Sequence, residues 1–248
     1  MGGKNLEAWF EKLKAEFELN FIKGNRWRYL WEGLGNTLLI TFLALLMGVV
    51  IGVLIAMVRS TYDKTVSTTP HKTIGSRLFG LLNGFCRVYL TVLRGTPVVV
   101  QLMIIYFVIF ASSDNGVLVA ALAFGLNSGA YVAEIIRGGI MSIDNGQFEA
   151  GRSLGFNYVS TMRYIIIPQA FKNVLPSLMN EFIALLKETS VAGYVAVQDL
   201  TKGGDIIRSR TYSPFMPLIA VALVYLALVM FFSWLVSKLE RRLRSSDH

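Results

Sequence analysis

Ionisable and amide side chains set inside long apolar segments are the residues of this sequence most able to do chemistry. Glu181, Lys187 and Glu188 fall within the apolar stretch 176–197, and Glu134 falls within 116–136. A charge in such a segment is costly and faces a bundle interior or a water-filled path. On a helix through 173–188, Asn173, Ser177, Asn180, Glu181, Ala184 and Glu188 line one side at i+3/i+4 spacing. Leu178, Phe182 and Leu185 are left for lipid or neighbouring helices. Asn127, Tyr131 and Glu134 make a second stripe of the same period. Arg94 and Gln101 lie in a third segment broken at Gly95-Thr96-Pro97. Such groups suit the binding of a small polar solute. The competing reading is that Arg87, Arg94, Glu134, Arg137, Lys187 and Glu188 neutralise one another between helices. Catalytic and metal chemistry find no support. Cys86 is the single cysteine, His71 and His248 form no cluster, and no nucleophile–base pair or G-x-x-x-x-G-K-[ST] phosphate loop is present.

The elements that must position these groups are membrane helices. Of 248 residues, 54% are hydrophobic and only 16% charged, which indicates a membrane class. The formal charge of +8 fits basic loops beside anionic lipid rather than a nucleic-acid surface. Crossing a bilayer takes about 20 apolar helical residues. Segments 34–58, 116–136, 176–197 and 217–236 meet that length. The stretch 78–110 is cut by Arg94-Gly95-Thr96-Pro97 into two pieces that each fall short, so it is predicted as one broken span. The expectation is an all-α protein of five transmembrane helices. The N-terminus then faces outward, and loops 59–77 and 137–175 and the C-terminus face the cytoplasm. A six-span arrangement satisfies the positive-inside rule equally well, and length favours five. Leu6, Trp9, Phe10, Leu13 and Phe17 recur on one helical face, so residues 1–30 form an amphipathic arm lying in the membrane interface. That arm is not signal-like, and no cleavage is expected.

Between two of the apolar segments lies a compact polar cassette, "EAGRSLGFNYVSTMRYIIIP" (149–168). Asp144 is placed to cap a helix with Gln147 completing a capping box. Glu149 sits near the helix N-terminus, where the dipole favours a carboxylate. Gly155 supplies a left-handed stop. About ten residues make a rod roughly 15 Å long, too short to be stable alone in water. Small Ala150, Gly151 and Ser153 would let a partner surface approach. Pro168 is expected to end the following stretch and Pro176 to open the next span.

Glu149-Ala150-Gly151, three residues, Gly155, nine residues, then Ile165-Ile166-Ile167-Pro168 resembles the EAA loop of ABC-importer permeases. Gly151 stands for the family's second alanine and Ile167 for its leucine. "RGTPVVVQLMIIYF" (94–107), "NSGAYVAEIIRGGI" (127–140), "GQFEAGRSLG" (146–155) and "NEFIALLKETS" (180–190) resemble the polar amino-acid uptake branch. The resemblance covers about residues 30–240. It implies a permease domain over 31–240 with a coupling loop at about 141–168, followed by a basic cytoplasmic tail at 241–248. It further implies a bacterial plasma-membrane subunit that is not itself an enzyme. Its partners would be a second permease subunit, an ATP-binding cassette ATPase dimer holding ATP and Mg, and an extracellular or periplasmic amino-acid-binding protein. Glu149, Ala150, Gly151, Gly155 and Pro168 would then couple to the ATPase. An amino-acid substrate would present its ammonium to Glu181 or Glu188. Its carboxylate would go to Arg94 or to N–H groups freed around residues 95–97, with Gln101, Asn127, Tyr131, Glu134 and Asn180 lining the path. A secondary amino-acid transporter or channel is the alternative that the same stripes allow.

Overall fold

The computed structural model describes residues 2–66 and 73–244. His71, His248 and the end of the basic tail (245–248) lie outside the described residues, as do the side chains of residues 2–6, Leu6 among them. Every regular element among the described residues is helical. In order these are α1 (Gly2–Phe17), α2 (Trp27–Thr61), α3 (Ile74–Gly95), α4 (Val98–Ile104), α5 (Gly116–Met141), α6 (Asn145–Ser153), α7 (Tyr158–Thr161), α8 (Ile167–Glu188), α9 (Leu200–Thr211) and α10 (Phe215–Arg244).

Helices α2, α5 and α10 are each long and apolar enough to cross a membrane, and α3 with α4 and its following turn passes the same test as a bent pair. The bend is 108°, so 78–110 is no continuous rod. Thr73 caps α3 by accepting from the Ser76 N–H, which starts the helix at Ile74. Its 22 residues make about 33 Å at ~1.5 Å each, longer than the piece expected from sequence. Pro97 has no N–H to continue α3 and instead begins α4.

The boundaries expected for the segment at 176–197 are corrected, and α8, which holds most of it, is not among the helices long and apolar enough to cross. Pro168 opens α8 in its first turn, and Pro176 lies inside that helix rather than at its start. A π-turn over Met162–Ile166 leads the chain from α7 directly into α8. A proline in a first turn loses no helical hydrogen bond, so Pro168 extends the run instead of stopping it. The helix ends at Glu188, where a 3-10 turn over Thr189–Val195 and left-handed Ala196 redirect the chain. Lys187 and Glu188 therefore lie in a last turn, not mid-span.

The centre of the bundle is the seam between α2 and α5. Ala44, Gly48, Gly52 and Ala56 recur every four residues on α2, and all are buried. A Cβ on Gly52 would come within 2.5 Å of the Val132 side chain, and one on Gly129 within 2.9 Å of Ile51 and of the Tyr89 hydroxyl. Small residues here let the two backbones approach, which is how helices associate where lipid removes the hydrophobic driving force. Helix α10 is the opposite case: Leu218, Leu223, Leu226, Met230 and Trp234 are exposed. It touches α8 through Phe182 and Phe232, whose rings sit 4.8 Å apart. In α1, Trp9, Phe10 and Phe17 are exposed. Between α8 and α10 the chain forms α9. Buried Asp199 caps it by accepting from the Thr201 and Lys202 N–H groups. The Leu200 N–H donates to Thr37 Oγ1 of α2 at 3.0 Å.

Candidate transport path and coupling site

Glu134 of α5 is surrounded by guanidinium groups. Arg137 Nη2 lies 3.0 Å away, Arg59 Nη1 of α2 3.4 Å away and Arg94 Nη1 at the end of α3 3.9 Å away. Arg94 also stands 5.6 Å from the centre of the Tyr131 ring. One carboxylate against three guanidiniums leaves the cluster net positive, and it binds α2, α3 and α5 together. Ion pairing thus engages Glu134, Arg94 and Arg137. Arg59, missed in the sequence, joins them. It sits at the end of an apolar segment, where an arginine reads as a group snorkelling to the interface, and its partner is 75 residues away.

The amides Asn127 and Gln101 are spent on the corner between α3 and α4. Gln101 Nε2 donates to the Leu93 carbonyl at 2.8 Å and to the Thr96 carbonyl at 3.0 Å. Asn127 Nδ2 donates to the Leu93 carbonyl at 3.1 Å and to Gln101 Oε1 at 3.0 Å. A helix that stops leaves its last carbonyls unsatisfied. These two side chains answer them, and both are buried. Their donors are therefore engaged by protein.

The two polar stripes diverge. Asn127, Tyr131 and Glu134 turn toward α3, whereas Glu181 meets α5 through the neighbouring Ser128, whose Oγ donates to Glu181 Oε1 at 2.8 Å. Among the described residues Glu181 makes no ion pair, and its partner is the Ser128 hydroxyl. Asn180 and Ser177 are exposed on the same side of α8, and Asn173 donates to Ser142 Oγ at 3.1 Å. Outside the spans, burial pushes the Asp199 carboxyl up against the N–H groups it caps. Hydrogen bonds from Arg208 and then Lys202 hold Asp205 below the usual carboxylate range.

The cassette forms α6 and α7. Asp144 caps α6, but its side chain accepts from the Gly146 N–H at 2.6 Å, and Gln147 does not reach back to complete a box. Gln147 Oε1 instead accepts from Gln169 of α8 at 3.3 Å. Gly155 adopts φ +80°. The Phe156 N–H bonds the Gly151 carbonyl and the Gly155 N–H bonds the Arg152 carbonyl, the paired bonds of a Schellman stop. Gly151 is buried, and a Cβ there would fall 2.7 Å from Thr161 Oγ1. It admits α7, not an outside surface. Glu149, Ala150, Arg152 and Ser153 face outward, while Phe148 anchors the rod beside Ile140, Ile143, Ile166 and Ala170.

Apolar helices joined by a small-residue seam, with a capped rod displayed between two of them, define an integral-membrane transport subunit. Residues 73–245 match the binding-protein-dependent transport system inner membrane component family, and the chain belongs to that family. It is 41% identical over 162 residues to a putative glutamine transport system permease protein GlnP of Rickettsia bellii, a match covering 64% of this chain and 74% of that one. It is 40% identical over 162 residues to the arginine transport system permease protein ArtQ of Bacillus subtilis, with the same coverage. A crystal structure of an amino acid ABC transporter with histidines superposes with a TM-score of 0.75 at 41% identity, covering 87% of this chain and 94% of that one. An inward-facing MetNI methionine ABC transporter, at 19% identity and a TM-score of 0.71, shares the fold over 87% of this chain and 96% of its own. This chain is accordingly a permease subunit of the ABC-importer type and an inner-membrane component, not itself an enzyme. The secondary-transporter alternative is set aside.

Proposed function

We propose that this chain lines the translocation path for a polar amino acid in an ATP-driven importer, and that α6 passes the motion of a separate ATPase dimer to the spans. In this reading α6 and the C-terminus are cytoplasmic, and ATP and Mg are held by the ATPase. A second permease subunit completes the path, and an amino-acid-binding protein delivers substrate from outside. Amino-acid transport is what the names of the relatives describe, for glutamine and for arginine. The observation that carries the coupling role is the firmly capped α6, anchored by Phe148 while Glu149, Ala150 and Arg152 face outward. Glu181, held by one serine and no cation, is the group that would favour a cationic amino acid such as arginine, lysine or histidine.

Gly155→Val tests the reading. Valine at φ +80° costs roughly 1 kcal/mol or more and misdirects the rod. That variant, and to a lesser degree Glu149→Lys, should insert in the membrane yet lose ATPase co-purification or binding-protein-stimulated ATP hydrolysis in liposomes. Full assembly and full stimulation in both variants would reduce α6 to an ordinary loop helix.

A further inference from the structure

Helix α6 is joined to α5 through Ser142–Asp144 and to α8 through α7, both links in the covalent chain. A third link is not covalent. Five residues past Thr61 continue α2 as a π-turn, Tyr62–Val66. From this turn Lys64 reaches α6, where its Nζ donates to Asn145 Oδ1 at 2.8 Å and stands 4.6 Å from the centre of the Phe148 ring. Asn145 and Phe148 are three residues apart and therefore share one face of the rod. Lys64 thus spans the first turn of α6 and grips its apolar anchor. The groove so formed is lined by Lys64, Asn145, Phe148, Glu149, Arg152 and Tyr158.

We infer that Lys64 is a positioning residue that latches α6 to α2, so that a displacement of the coupling helix is delivered to the α2–α5 seam as well as to α8. The inference rests on the coupling role proposed for α6. Helix α2 suits this task because its small residues lock it against α5, as Gly52 shows against Val132. A pull on its end then moves both helices together. A lysine merely solvated at a helix end would need neither a specific acceptor nor a ring beneath it. The same ammonium has both, and these two contacts fall on α6.

The test uses the complete complex of permease, ATPase and binding protein in liposomes, with solute imported per ATP hydrolysed as the readout. Lys64→Met keeps the stem and removes the donor and the charge. It should leave ATPase co-purification and basal hydrolysis unchanged while import per ATP falls about threefold, the scale on which a lost coupling contact acts. Lys64→Arg keeps both contacts within reach and should restore the ratio. Asn145→Ala, which removes only the acceptor, should lower it less. An unchanged ratio in Lys64→Met overturns the latch. So does loss of ATPase binding in that variant, which would make Lys64 a docking contact instead. If Gly155→Val and Glu149→Lys keep full assembly and full stimulation in the same liposomes, the coupling role of α6 itself is overturned, and the latch with it.

Discussion

Glu134 and Glu181 are the same residue type in neighbouring helices of one bundle, and their surroundings differ. Glu134 faces three arginines from α2, α3 and α5. Glu181 accepts one hydrogen bond from Ser128. A carboxylate ringed by guanidiniums is committed to holding helices in place, because any movement of α3 or α2 separates opposite charges that are only partly solvated. A carboxylate with a single neutral donor keeps acceptor capacity for a cation. Position in an apolar segment marks a charge as costly. The count of its partners separates a structural charge from one open to a solute.

The largest effect is expected at Glu134. In Glu134→Leu three guanidiniums face one another without a counter-charge, and the purified permease should lose about 2–4 kcal/mol of stability. A thermal melt in detergent reads this as a drop of several degrees, and an unchanged melting temperature would remove the structural distinction between the two glutamates. Glu181→Gln is expected to act on function instead. Import into liposomes should fall about tenfold, equivalent to ~1.4 kcal/mol, with the melting temperature within about a degree of the parent. Normal import kinetics would take Glu181 out of the path. The smallest effect belongs to Arg137→Gln. Its pair with Glu134 lies within one helix at i,i+3 and is partly exposed, so only about 0.3–0.5 kcal/mol should be lost. A loss as large as that of Glu134→Leu would show that the cluster depends on one partner rather than three.

How far these differences can be read from sequence depends on whether they are local. The segments around α2, α5 and α10 stand out because a run of apolar residues is local information, and so is the left-handed stop at Gly155. The start of α8 is not legible because a proline opens or breaks a helix according to what precedes it, and here a π-turn supplies the continuity. Asn127 and Gln101 looked like path residues because a buried amide at helical spacing has the same pattern whatever it bonds. Their use depends on a 108° corner that brings Leu93 beside them. The small size of Gly151 predicts an opening toward a partner, and only the packing of Thr161 shows that its bare face is already covered.

Helix α2 has 35 residues, about 52 Å at ~1.5 Å per residue, against a hydrocarbon thickness of roughly 30 Å. A rod of that length fits a bilayer only by leaning or by standing clear of it. Each ångström of thickness change is then accommodated by the tilt of α2 or by the depth at which its ends emerge. The seam with α5 ties that tilt to the rest of the bundle. The resting geometry of the permease is therefore set jointly by its side chains and by the acyl-chain length of the lipids around it.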